Sequence, residues 1–136
     1  MSSGFAAVAI SVTLTAGAHG TGETVTQNLS QPIPNIPGKL LIAVVVDYAP
    51  GAASPPHVHA KSAFIYGFVV SGAIESQVNE GNKRVYHAGE SFYENPGSSH
   101  PVSRNASKTK PAKLLAVFVV DDNDKELTTP VNNELE

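Results

Sequence analysis

Gly51-Ala-Ala-Ser-Pro-Pro-His57-Val-His59 and Gly89-Glu-Ser-Phe-Tyr-Glu-Asn-Pro-Gly97-Ser-Ser-His100 are the two stretches that decide how this chain folds. Histidines two apart on an extended chain project from the same face, which suits two cis ligands on one ion. The turn-rich approach from Tyr48 to Pro56 restricts the backbone just before them. In the second stretch a strand runs into a Pro-Gly turn and the chain doubles back, which aims His100 inward. Three neutral imidazoles, each oriented by an acceptor on its other ring nitrogen, form a site competent for Fe, Mn, Zn, Ni or Cu.

Outward from these stretches, short β-branched runs bounded by Pro, Gly, Asn and Ser recur along the chain, and helical periodicity is hard to find. That pattern belongs to an all-β sandwich or barrel. The expected strands are Ala7 to Leu14, Lys39 to Tyr48, Ala63 to Val70, Ile74 to Val78, Arg84 to His87, Ser91 to Glu94, His100 to Asn105 and Ala112 to Val120. Asn79 to Lys83 reads as a hairpin connection with Gly81 available for positive φ. Prolines 32, 34 and 37 mark residues 31–38 as a rim or dimer arm, since such a segment cannot pair inside a sheet. After Val120 the chain turns acidic, as a surface tail would. The organisation is then residues 1–38 as N-terminal strand and proline-rich arm, 39–120 as barrel and 121–136 as tail, with no internal repeat.

At 136 residues the length suits one domain. Nine Lys and Arg against twelve Asp and Glu give a net charge of -3 with no basic stripe, which excludes a nucleic-acid partner. The absence of cysteine removes disulfides, thiolate metal sites and cysteine nucleophiles, so any metal must sit on nitrogen and oxygen. Residues 1–17 are apolar but too short and interrupted to cross a bilayer. No Lys or Arg precedes Lys39, so they read as an ordered first strand rather than a secretory leader, which favours the cytoplasm. His19 and His87 lie in glycine-bordered turns and are not expected as ligands, and Asn28 and Asn105 begin weak glycosylation sequons.

The paired stretches resemble the two motifs of the cupin superfamily. Gly51, His57, His59 and Gly72 fall at the places of the first motif, and Gly89, Gly97 and His100 at those of the second. In the second, Asn95 stands at the proline place and Arg104 at the asparagine place, with Asn105 one residue late. The departure that matters is the first motif's glutamate. Its place is Ala63 or Phe64 counting from His59 and Ile65 counting from Gly72, and no carboxylate occurs between residues 60 and 74.

The resemblance implies a double-stranded β-helix, or jelly roll, with one divalent ion per chain on His57, His59 and His100. It also implies a homodimer formed through edge strands or an exchanged N-terminal arm, and a small-molecule substrate. Tyr66, as a hydrogen-bond donor, and Glu94 are the candidate catalytic residues, while Gln77, Arg104 and Phe64 are candidates for binding substrate. An inward Arg104 would clamp a carboxylate and an outward one would merely be solvated. The leading expectation is an Fe(II)-type dioxygenase in which an open three-histidine ion chelates its substrate. The alternatives are a metal-dependent isomerase, lyase or decarboxylase, and a non-catalytic barrel that binds a small molecule or metal.

Overall fold

A computed structural model describes residues 22–124 and 126–131. It contains eleven strands: β1 (Glu23–Pro32), β2 (Lys39–Tyr48), β3 (His57–His59), β4 (Phe64–Ser71), β5 (Ala73–Gln77), β6 (Arg84–His87), β7 (Ser91–Glu94), β8 (Ser99–His100), β9 (Val102–Asn105), β10 (Ala112–Asp121) and β11 (Thr128–Pro130). They form a five-stranded sheet in the order β1-β2-β10-β4-β7 and two three-stranded sheets, β11-β3-β8 and β6-β5-β9. Every pairing is antiparallel. The architecture is the all-β double-stranded barrel that the sequence implies.

The sequence of β10 shows why the large sheet forms. Burial alternates strictly along it, so Ala112, Leu114, Ala116, Phe118 and Val120 face the interior while their neighbours face out. On either side, β2 contributes Ile42, Val44, Val46 and Tyr48 to the same core, and β4 contributes Ile65 and Val69. Burying one such side chain is worth roughly 1.5–3 kcal/mol. Exposed ion pairs such as Arg84–Glu90 and Lys113–Asp47 contribute about 0–1 kcal/mol each. Apolar burial therefore holds the barrel together.

Five expectations change, and a sixth falls outside the described residues. The strand expected over residues 7–14 lies outside the described residues, whereas Glu23–Pro32, not expected as a strand, pairs along its length with β2. Its polar face and the bulge between Gln27 and Leu29 disguise the alternation. Residues 33–38 are then the closed turn of a hairpin within one chain rather than a reaching arm, with the Ile33 amide donating to the Lys39 carbonyl at 3.0 Å. Pro32 is tolerated because β1 is an edge strand.

The segment from His100 to Asn105 breaks at Pro101, which lacks an amide donor, and the chain crosses there from β8, paired with β3, to β9, paired with β5. In the turn after β5 it is Asn79 that takes positive φ, at 52°, and it accepts from the Ser99 amide through Oδ1. The expected surface tail returns to the barrel as β11, pairing with β3.

Gly72, at the β4–β5 turn, has φ of 74°, and a Cβ there would meet the Pro111 carbonyl oxygen at 2.6 Å. Gly38 has a similar φ of 82° but nothing within 4 Å. Left-handed backbone costs an L-residue roughly 1–2 kcal/mol, so both alanine variants should lose that much and Gly72→Ala distinctly more. Urea midpoints for the two variants check this. Equal midpoints would mean that the turn moves freely away from β10.

Candidate metal centre

Strand β3 is only three residues long, yet it is held on both sides. His57 lies directly opposite His100 of β8, and His59 opposite Thr128 of β11. The imidazoles of His57, His59 and His100 converge, with ring centroids 4.7, 5.1 and 5.8 Å apart and one nitrogen of each within 4.8 Å of the others. All three are buried.

The far nitrogen of each ring has a partner. His57 Nδ1–H donates to the Pro55 carbonyl at 2.7 Å, and His59 Nδ1–H donates to the Leu127 carbonyl at 3.2 Å. Carbonyl oxygens only accept, so these contacts fix the tautomers and leave both Nε2 lone pairs facing the centre. The Ser76 hydroxyl meets His100 Nε2 at 2.8 Å, which leaves His100 Nδ1 on the central side. Such outer partners orient a ligand and raise its basicity.

Glu94 also enters this cluster. Its side chain is 2% exposed, with Oε2 at 3.2 Å from His59 Nε2 and Oε1 at 3.6 Å from His100 Nδ1. His59 Nε2 and Glu94 Oε1 are buried without a hydrogen-bond partner. Burial pushes the His100 imidazole down to about 4, and burial, helped by the adjacent His59 ring, lowers that of His57. For Glu94 burial alone would raise the carboxyl, but the surrounding imidazoles of His59, His100 and His57 outweigh it and hold the group below its usual range. At neutral pH His57 and His100 are uncharged donors beside a carboxylate. The three imidazole nitrogens could hold a divalent metal ion, and beside them lie an unpartnered nitrogen, His59 Nε2, and an unpartnered oxygen, Glu94 Oε1.

Of the residues expected around the ligands, only Glu94 is brought to them. Phe64 and Tyr66 are 40% and 43% exposed and stand on the outer face of β4, where Phe64 stacks on Tyr93 at 5.9 Å. Arg104 points outward and donates to Glu75 at 2.7 Å, and Gln77 donates to the Gly81 carbonyl. These four corrections share one cause, since the inward residues Ile65, Ser76, Ser103 and Asn105 are their chain neighbours and alternation forbids adjacent residues from sharing a face. Parity counted from Ile65 would have turned Phe64 and Tyr66 outward from the start.

Sequence reading missed Ser76, for which the same count was the signal, and the Leu127 carbonyl, for which none existed. The Asn105 amide donates to the Ala49 and Lys110 carbonyls from a buried position, so it clasps two loops and is not free to carry a glycan. Lys61 is exposed, and Ser62 donates to Asp124 through both its amide and its hydroxyl, closing the loop beside β3.

The antiparallel strand layers with three converging histidines define a jelly-roll barrel whose histidine cluster could hold a metal ion. The family model for the cupin domain matches residues 44–118, more than half of the chain, and the chain belongs to that family. Over 78 residues, 52% of its length, it is 37% identical to oxalate oxidase 2 of Hordeum vulgare, of which the match covers 34%. A solved oxalate oxidase in complex with glycolate superposes with a TM-score of 0.58 at 28% identity, over 76% of this chain and 53% of that one. KdgF from Halomonas sp. gives 0.59 at 25% identity, over 76% and 84%. The chain thus spans about a third of the curated relative and about half of the solved oxalate oxidase.

His100→Ala should abolish most metal uptake while His87→Ala, on exposed β6, leaves it unchanged; Ser76→Ala should weaken affinity by about 10-fold, the low end for loss of an orienting partner. Metal analysis after dialysis against a fixed free concentration distinguishes these, and equal losses at His87 and His100 would displace the site. Protons and metal compete for the same nitrogens. Because the folded His57 and His100 imidazoles are lowered, affinity should stay nearly flat down to about pH 6.5, the ordinary histidine value. It should then fall as pH drops toward the value of about 4 at which His100 takes its proton. Calorimetric titration across that range checks the sign, and a steep loss already above about pH 6.5 would contradict it.

Proposed function

We propose that this chain is a metal-dependent oxidoreductase that holds one divalent ion on His57, His59 and His100 and uses dioxygen to oxidise a small chelating organic acid. The observation that carries the reading is the cluster itself: three buried imidazoles whose outer nitrogens are already partnered and whose inner ones converge. Likeness to oxalate oxidases supports dioxygen as oxidant and a small carboxylate as substrate. When bound, the ion would supply Lewis-acid polarisation of the chelated acid and a path for electrons to dioxygen.

The chain's own residues would do the rest. The Pro55 and Leu127 carbonyls and the Ser76 hydroxyl hold the three rings at fixed orientations, so little reorganisation is needed at the centre. The Phe118 ring, 5.5 Å from His59, and the Phe92 ring, 6.1 Å from His100, wall the histidines with apolar edges that exclude water. The Glu94 carboxylate places one negative charge beside the rings.

Protein reconstituted with Fe(II) or Mn(II) should consume oxygen with oxalate, glycolate, a β-diketone or a catechol, and His57→Ala should not. Hydrogen peroxide in the product identifies an oxidase, and labelled oxygen in the organic product identifies a dioxygenase of the Fe(II) type. Metal-loaded protein that takes up no oxygen with any of the panel would overturn the reading and favour an isomerase, lyase or binding barrel.

A further inference from the structure

The first cupin motif has no glutamate in this chain, and its place counted back from Gly72 is Ile65. Strand pairing puts Glu94 of β7 directly opposite Ile65 of β4. Both side chains point inward, at 1% and 2% exposure. Opposed residues on antiparallel strands have Cβ atoms only about 4.5–5.5 Å apart. A carboxylate at either position can therefore reach the same point inside the barrel.

We infer that Glu94 is the fourth protein ligand of the metal centre, the carboxylate having been transposed from β4 to the facing residue of β7. This rests on the metal-centre reading above and replaces the catalytic role expected from the sequence. His59 Nδ1 donates to Leu127, so in the neutral form of the ring a lone pair at Nε2 faces the Glu94 carboxylate at 3.2 Å. A metal ion between the two would satisfy both, as would a proton on Nε2, and the metal titrations separate these cases. Cis ligands about 2.1 Å from one ion lie about 3 Å apart, which matches this separation. Glu94 Oε1, the other orphan, lies toward His100 Nδ1. Glu94 of β7 thus approaches one histidine from β3, His59, and one from β8, His100.

Affinities for Zn(II) and Mn(II), each titrated alone into metal-free protein, test the inference. Loss of a residue that merely orients a ligand costs roughly 10–100-fold in affinity, so Glu94→Ala should lie at or beyond the upper end. The isosteric Glu94→Gln should lose at least about 10-fold, with the fold verified by circular dichroism. The decisive variant carries Ile65→Glu with Glu94→Ile. It should bind far more tightly than Glu94→Ile alone, because the carboxylate returns to the same point from the other strand, whereas a residue that only positioned His59 would not be replaceable in this way. Wild-type affinity in Glu94→Gln, or no recovery in the double variant, would overturn the assignment. Wild-type protein that takes up neither ion would remove the metal centre itself, and this inference with it.

Discussion

The contact between His59 Nε2 and Glu94 Oε2 is the constraint around which the interior is arranged. A carboxylate in a dry site costs several kcal/mol unless something offsets its lost hydration. Here the groups around it are imidazoles rather than arginines or lysines, and one of them shows it a lone pair. A metal ion joining the two would satisfy both. The remaining polar contacts of the site keep that arrangement in place: Leu127 prevents His59 from turning its donor inward, and Ser76 holds His100 by its outer nitrogen.

That constraint explains why the short strand β3 is so firmly held. Residues Pro55 and Pro56 limit the backbone before His57, β8 and β11 flank β3, and the Ser62–Asp124 clasp closes the chain just after it. The segment beyond Val120 is thus part of the centre. It supplies both the third strand of the small sheet and the carbonyl that sets the His59 tautomer. A site whose ligands are fixed by neighbours in this way needs little reorganisation when an ion arrives.

Much of this was legible in the sequence, and the parts that were not have physical reasons. The His57-Val-His59 pair, the Pro-Gly turn before His100 and the strict alternation of Ala112 to Val120 are local signals, each carried by adjacent residues, and the structure follows them. Strand β1 was missed because an edge strand with one wet face carries weak alternation, made weaker by its bulge. Tyr66, Phe64, Gln77 and Arg104 were misplaced through parity, which local sequence does carry. The Leu127 carbonyl could not be found at all, because a backbone oxygen 68 residues from the histidine it orients has no residue-type signature.

Glu94 stands between these cases. As a residue it was identified, but its relation to Ile65 exists only once β4 and β7 are paired. A motif written along the chain records the carboxylate by its distance from the histidines in sequence, whereas the metal responds to its distance in space. Crossing from one strand to the facing residue of the next changes the first by 29 positions and the second hardly at all. The consequence reaches the chemistry. A divalent ion on three neutral imidazoles and one carboxylate carries a net single positive charge instead of two, which tempers its attraction for anions and commits one more coordination position to the protein. A chelating ligand would then hold on through fewer, better placed oxygens.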